Sequence, residues 1–285
     1  MLVVEARHMG MCFGVRDALE IMRDLPRPER VTVHGELVHN PVVTAEMAAR
    51  GFHQQSETNR DRAPETAEVL ITAHGVSNRR REQLVSEGYV VHDTTCPLVR
   101  RAHKAALHYH NRGYLVVVVG RKGHVEVEGL VGDLNDFHLV SDPDEVEEYP
   151  QARIAVINQT TTRPDVLRSF HRRVEALNPE KEVVLVDTTC QPTKDRQKSV
   201  RDLLQRVEGL VVVGGPNSNN TRQLGLLASE RGMPWWHVAT AEELRADWFR
   251  GIRIVGLSAG TSTTDQTIRE VSRVLRSFGQ SKLTA

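Results

Sequence analysis

Three short segments built on one plan constrain this chain more than anything else in it. They read MGMCFGV around Cys12, DTTCPLV around Cys96 and DTTCQPT around Cys190, and together they hold all 3 cysteines of the 285 residues. The second and third close apolar runs, YVVHDTTC and EVVLVDTTC, of the kind that make strands buried on both faces of a parallel sheet. A weaker run, MLVVEARHMGMC, precedes the first. Polar loops follow 27, 28 and 28 residues after the cysteines: GELVHNP with His39, GRKGHVE with His124 and GPNSNN with Ser218. A further apolar run then ends in AHGVS at His74, QTTT at Thr160 or SAGTS at Ser262. Spacing this regular marks a structural repeat.

Apolar runs at 31–35, 68–75, 89–93, 114–120, 153–159, 182–187, 209–215 and 253–260 alternate with stretches of helical period such as 163–178 and 193–206. The alternation predicts an α/β fold with mainly parallel sheets and helical crossovers. The repeat divides it into three pseudo-threefold-related α/β units, a trefoil. They run over 13–95, 96–190 and 191–275, with the N-terminal strand in 1–12 completing the last and 276–285 left as a tail. Residues 53–68 form a polar break inside the first unit. Ligands of open α/β sheets bind at the carboxyl ends of the strands. Three units about one axis would aim three thiols at one centre, with His39, His74, His124, Thr160, Ser218 and Ser262 around it.

Composition narrows the class. Hydrophobic content of 39% with 26% charged residues is ordinary for a globular protein, and the formal net charge is zero. No basic field of the nucleic-acid-binding kind is present. No apolar run approaches the ~18 residues that span a bilayer, and the first residues lack a signal-peptide core. The expected setting is therefore the cytoplasm, with no membrane and no nucleic acid as partner and a monomer as the default state. An odd cysteine count in a chain of this size argues against a disulfide framework.

Converging thiolates suit zinc or an iron–sulfur cluster. No CxxC is present, so neither a zinc ribbon nor a ferredoxin loop fits. Three protein ligands leave one metal position open to substrate, the arrangement of catalytic rather than structural sites. The surrounding residues suit an anion. His39, His74 and His124 can donate hydrogen bonds or carry charge. Asn217, Ser218, Asn220, Thr160, Thr161 and Ser262 add neutral donors, several of them just before expected helices, where backbone N–H groups attract phosphate. Of the 13 histidines, nine more (His8, His53, His92, His103, His108, His110, His138, His171 and His237) have no place in the pattern and are read as structural or surface groups. Glu126, in the loop after Gly123-His124-Val125, is the carboxylate of the ring and a candidate proton donor to a departing hydroxide. Glu128 is its nearby competitor.

These motifs resemble the 4-hydroxy-3-methylbut-2-enyl diphosphate reductase family. GMCFGV, VHN, AHGVS, DTTCPLV, GHVEVEG, QTT, the C-terminal DTTC, NSNN and AGTS stand in the family's order over roughly residues 1–275. The resemblance implies a trefoil around an oxygen-sensitive [4Fe–4S] cluster held by Cys12, Cys96 and Cys190, with the substrate hydroxyl on its open iron. His39, His74, His124, Thr160, Thr161, Thr193, Ser218, Asn219, Asn220 and Ser262 would bind the substrate. Glu126 would deliver the proton, with Thr160 and His124 beside it. Two electrons would come from an external donor such as ferredoxin or flavodoxin. The products would be isopentenyl and dimethylallyl diphosphate. The chain departs from the family at Phe13, where a small residue is usual, at Val125 and Thr264, where proline is usual, and at Asn219, where serine is usual. Alternatives on the same scaffold are a paralogue acting on another anionic substrate and a redox or iron sensor.

Overall fold

A computed structural model describes residues 1–60 and 62–280. In chain order the elements are β1 (Leu2–Glu5), α1 (Phe13–Asp24), β2 (Val31–Val33), α2 (Pro41–Ala49), β3 (His53–Gln54), β4 (Glu68–Ile71), α3 (Asn78–Ser86), β5 (Val90–Asp93) and α4 (Pro97–Asn111). There follow β6 (Leu115–Val119), α5 (Val125–Val131), β7 (Phe137–Val140), β8 (Arg153–Asn158), α6 (Pro164–Leu177), β9 (Glu182–Val186) and α7 (Gln191–Leu203). The chain ends with β10 (Gly209–Val213), α8 (Asn219–Ser229), β11 (Trp235–Val238), β12 (Ile254–Ala259) and α9 (Asp265–Gln280). Short 3-10 turns join some of these. No helix among the described residues is long and apolar enough to cross a membrane.

The strands form three four-stranded parallel sheets, the α/β class the alternation predicts. Their orders are β3-β2-β4-β5, β7-β6-β8-β9 and β11-β10-β12-β1. Each places an edge strand beside the first strand of its unit, then the third, then the strand that leads to a cysteine. In the last sheet that fourth strand comes from the N-terminus: β1 pairs with β12 in the register Leu2↔Ile254 to Glu5↔Leu257. By contacts the chain divides into two compact units. One holds the segments 1–15 and 39–43 and everything from 191 on; the other holds 16–38 and 44–190.

Burial on both faces explains the uninterrupted valines. In β6, Leu115, Val117 and Val119 pack with Leu167, Phe170 and Val174 of α6. The alternate residues Val116 and Val118 pack with Ala102 and Ala106 of α4 and Val127 and Leu130 of α5. Only apolar, β-branched residues suit a strand enclosed this way. In the other unit, Val211, Val213, Val255 and Leu257 meet Val271 and Leu275 of α9. Leu210 and Val212 meet Val200 and Leu203 of α7 and Leu224 and Leu227 of α8.

Of the six edge strands, β3, β7 and β11 carry no sequence signal. β3 has two residues, and β7 and β11 read FHLV and WWHV with most side chains only half-covered. An edge strand is buried on less of its surface and can be short and mixed. The strands that lead to Cys96 and Cys190, β5 and β9, are the opposite edges, and they are half-covered rather than buried on both faces as their apolar runs suggest. α9 runs to Gln280, five residues into the expected tail, and 281–285 lies outside the described residues.

Candidate active site

Each cysteine stands between a strand end and a helix start, and each is fixed by the same backbone bond. Cys96 donates its N–H to Ala73 O at 3.1 Å, Cys190 to Thr160 O at 2.9 Å, and Cys12 to Thr261 O at 3.1 Å. The acceptors sit in the loops after β4, β8 and β12. None of the thiols is in a disulfide. Cys96 is the N-cap of α4, Cys190 immediately precedes α7, and Cys12 immediately precedes α1. Backbone N–H groups left unbonded in a first helical turn favour negative charge beside them.

The two DTTC loops fasten themselves in the same way. The Asp93 carboxylate accepts from the Thr95 N–H at 3.0 Å and the Thr95 hydroxyl at 2.6 Å. In the other loop the Asp187 carboxylate accepts from the Thr189 N–H at 2.9 Å. These are Asx turns, in which a short side chain satisfies backbone two residues on. The first threonine of each pair ties the loop to the neighbouring strand: Thr94 Oγ1 donates to Ile71 O at 2.6 Å, and Thr188 Oγ1 donates to Asn158 O.

Helix starts supply the second feature of each repeat. His124 is the N-cap of α5, and its Nδ1 accepts the Glu126 N–H at 3.1 Å. An acceptor Nδ1 leaves the ring proton of a neutral imidazole on Nε2, where it can be donated. Ser218 caps α8, its Oγ accepting the Thr221 N–H at 3.3 Å. At α2 this role falls to Asn40, whose Oδ1 accepts the Val42 N–H at 2.9 Å. Asn40 stands 28 residues after Cys12, so it, rather than His39, is the register partner of His124 and Ser218. Asn40 also donates from Nδ2 to Ser262 O at 2.6 Å, and Ser262 donates from Oγ to His39 O at 3.2 Å. The loops bearing His39 and Ser262 are thus locked together. Sequence reasoning passed over Asn40, although an exact 28-residue spacing and the following Pro41 both mark it.

Glu126 lies in the first turn of α5 rather than in a loop, and it is only 3% exposed. Its Oε1 accepts the Thr160 N–H at 2.6 Å and its Oε2 accepts the Thr160 hydroxyl at 2.9 Å. A carboxyl group held by both oxygens points one way and stays there. Glu128 is exposed, which separates the two candidate carboxylates. His74 and His124 meet edge to face with ring centroids 5.6 Å apart. The backbone register also makes Thr161, not Thr160, the counterpart of His74 and Ser262: each directly follows the carbonyl that accepts from a cysteine.

In the unit containing α7 and α8, Thr193 is fully buried and donates its hydroxyl to Asn220 Oδ1 at 3.4 Å. That contact orients the amide. Asn220 Nδ2 is buried with no protein acceptor. A buried donor without a partner is costly, and an incoming anion would relieve that cost. Asn219 adjoins it as the first residue of α8. Phe13, next to Cys12, is 46% exposed and so turns largely outward.

Parallel sheets that carry thiols, capped helix starts and a doubly anchored carboxyl group at their C-terminal strand ends have the layout of an α/β enzyme, the class in which ligands bind at those ends. The model of the LytB protein family matches residues 3–276. The chain is 36% identical to the 4-hydroxy-3-methylbut-2-enyl diphosphate reductase of Methylibium petroleiphilum, covering 97% of this chain and 85% of that one. It is 32% identical to the enzyme of that name from Aquifex aeolicus, covering 99% of both. A solved (E)-4-hydroxy-3-methyl-but-2-enyl diphosphate reductase, described as the terminal enzyme of the non-mevalonate pathway, aligns with a TM-score of 0.67. Identity is 32%, over 97% of this chain and 100% of that one. The Plasmodium falciparum E-1-hydroxy-2-methyl-but-2-enyl-4-diphosphate reductase shares the fold with a TM-score of 0.88 at 23% identity, over 96% and 87% of the two chains. The chain belongs to the LytB family. Membership makes it an oxidoreductase and implies an iron–sulfur enzyme.

Proposed function

We propose that this chain reduces 4-hydroxy-3-methylbut-2-enyl diphosphate to isopentenyl and dimethylallyl diphosphate with two electrons and two protons, one proton leaving with the hydroxyl as water and the other forming the new C–H bond. The observation that carries the reading is Glu126: a carboxyl group this deeply buried and held through both oxygens serves proton transfer, and a sensor has no need of it. The donor set fits a [4Fe–4S] cluster. Cys12, Cys96 and Cys190 are thiols outside any disulfide, each backbone-fixed and each at a helix start. When bound, the cluster supplies a Lewis-acidic site and passes on two electrons for cleavage of the C–O bond.

The chain's own residues do the rest. Glu126 holds a proton at its carboxyl group for the departing hydroxide, with Thr160 keeping the group aimed and His124 ordering the first turn from which it projects. Asn220 Nδ2, oriented by Thr193, donates to a diphosphate oxygen. Ser218, Asn219, Ser262, Thr161, His39, His74 and the Nε2–H of His124 complete the donors for that anion. Binding energy from the diphosphate then holds the distant hydroxyl in place for reaction. The electron donor would be a ferredoxin or flavodoxin, the state a monomer and the compartment the cytoplasm. Functional units would follow the repeat at 13–95, 96–190 and 191–275 with 1–12.

The test is anaerobic purification followed by assay with the named substrate and reduced methyl viologen. Brown protein containing iron and acid-labile sulfide, with formation of both isomeric diphosphates, is the expected result. Iron–sulfur protein inert towards this substrate would point to the paralogue or the sensor. Colourless protein rich in zinc would overturn the cofactor as well.

A further inference from the structure

The three cysteine loops do not hold themselves in the same way. The loops before Cys96 and Cys190 are fastened by their own Asp-Thr-Thr side chains. The loop before Cys12 has Met9, Gly10 and Met11 there, and none of these can form an Asx turn or a threonine tie. It is also longer. Ala6 N–H donates to Leu257 O, Gly10 N–H to Ala259 O and Cys12 N–H to Thr261 O. Between Ala6 and Gly10 the loop advances four residues while its partner strand advances two, so Arg7, His8 and Met9 bulge out of register. Gly10 takes φ +78, and a Cβ there would lie 2.8 Å from Ile268 Cδ1, so only glycine fits.

What the loop lacks, α7 provides. Arg196 is buried, and both its Nε, at 3.1 Å, and its Nη2 donate to Gly10 O. Its Nη1 is occupied by Pro192 O at 2.9 Å. One turn on, Ser199 Oγ accepts the His8 N–H at 2.9 Å. Two side chains on one face of a rigid helix thus grip the middle of the bulge and its end towards Cys12. A planar guanidinium suits this job, because its forked donors fix direction as well as distance. Arg196 and Cys12 line the same cleft of about 290 Å³.

We propose that Arg196 is the positioning residue for Cys12, replacing in trans the side-chain fastening that the other two cysteine loops carry themselves. The proposal rests on the reading of Cys12 as a cluster ligand, but the restraint on the loop does not. Without Arg196 the Gly10–Cys12 segment loosens alone, and the cluster becomes labile at that corner.

The experiment compares wild type, Arg196→Met, Arg196→Lys and, as a control in another loop, Thr189→Val, all as full chains handled anaerobically. Hydrogen exchange is read at residues 7–12, 94–96 and 188–190, and iron release to a ferrous chelator is timed. Orienting partners of metal ligands are worth about 10–100-fold in metal affinity. Arg196→Met should therefore release iron about 10–100-fold faster and exchange faster at 7–12 only. Arg196→Lys, with charge but no fork, should fall between it and wild type; if Arg196→Met does not fold, this variant carries the test. Thr189→Val removes a hydroxyl that donates to Thr162 O at 3.1 Å and accepts from Asn158 Nδ2 at 2.9 Å, and it should loosen 188–190 and leave 7–12 unchanged. Unchanged exchange at 7–12, or a uniform rise along the whole chain, overturns the proposal. Wild type without iron or sulfide would instead sink the cluster reading, while the exchange pattern would still decide the role of Arg196.

Discussion

Glu126→Gln separates the shape of the site from its chemistry. Glutamine has nearly the volume of glutamate and can keep both contacts with Thr160. Its amide oxygen replaces the carboxylate oxygen that takes the Thr160 N–H at 2.6 Å. Its NH₂ faces the Thr160 hydroxyl, now 2.9 Å from Oε2, and that hydroxyl can turn from donor to acceptor. With the proton on the carboxyl group, both bonds are neutral ones of about 0.5–1.5 kcal/mol before and after the exchange. Folding stability should therefore stay within about 1 kcal/mol of wild type, a shift of no more than roughly 2–4 °C in Tm. What disappears is the transferable proton. Losing a general acid costs about 10²–10⁴-fold in rate, or about 2.7–5.4 kcal/mol at 1.36 kcal/mol per factor of ten. The assay is anaerobic oxidation of reduced methyl viologen at saturating substrate, on protein matched for iron content. Cluster content and KM should stay near wild type while kcat falls by that factor. Glu128→Gln, on an exposed neighbour, should leave kcat within about twofold. A Glu126→Gln enzyme within threefold of wild type would remove Glu126 from the chemistry, and a comparable loss in Glu128→Gln would transfer the role.

Other outcomes follow from single contacts. Asn220→Ala removes the amide whose Nδ2 has no protein acceptor, so it should raise KM by about 10–100-fold, the worth of a hydrogen bond to a charged group; an unchanged KM would show that the diphosphate lies elsewhere. Gly215→Ala places a Cβ 2.2 Å from the His39 carbonyl oxygen, and should cost about 1–3 kcal/mol, read as a lower Tm; an unaltered Tm contradicts that close approach. Burial pushes the His103 imidazole below its ordinary range, against Asp133 and Asp93, which raise it, and with Arg100, which lowers it further. The fold therefore favours the neutral ring. Its contribution is complete above the unfolded value of about 6.5 and is lost as pH falls below that, by at most about 1.4 kcal/mol per pH unit. Urea midpoints at pH 7.5 and 5.5 should fall further apart in wild type than in His103→Gln, and equal gaps would count against it.

The interior of each sheet was legible because enclosure on two faces leaves few choices of residue. The valine run of β6 and the run ending at Asn158 in β8 could be little else. The edges β3, β7 and β11 were not legible, because partial burial asks for no continuous apolar run, whereas the half-covered edges β5 and β9 carry one and were read. The candidate site was readable where function depends on position along the chain: a strand end, a helix start and a fixed spacing. It was misaligned by one residue where a local hydrogen bond decides register, as between His39 and Asn40. It was silent where the partner comes from far away. Arg196 meets Gly10 across 186 residues of sequence, and in its own segment it reads as one more basic residue on an amphipathic helix.

The repeat also explains how a symmetric scaffold does asymmetric work. Counting from the caps Asn40, His124 and Ser218, the second helical residue is Val42, Glu126 or Asn220. The backbone gives these three the same position: in the first turn of a helix that follows the carboxyl end of a parallel strand. Identity then divides the labour. A carboxyl group can store and release a proton, an amide can only donate hydrogen bonds to an anion, and a valine can do neither, which agrees with its being 41% exposed. On the proposed reading, the scaffold sets the position, and the exchange of a carboxyl group for a shorter-stemmed amide sets which sheet would provide the acid. Exchanging Glu126 for Asn and Asn220 for Glu would therefore keep the polar inventory but should not keep turnover, since on the proposed reading the carboxyl group would then stand among the donors meant for the anion.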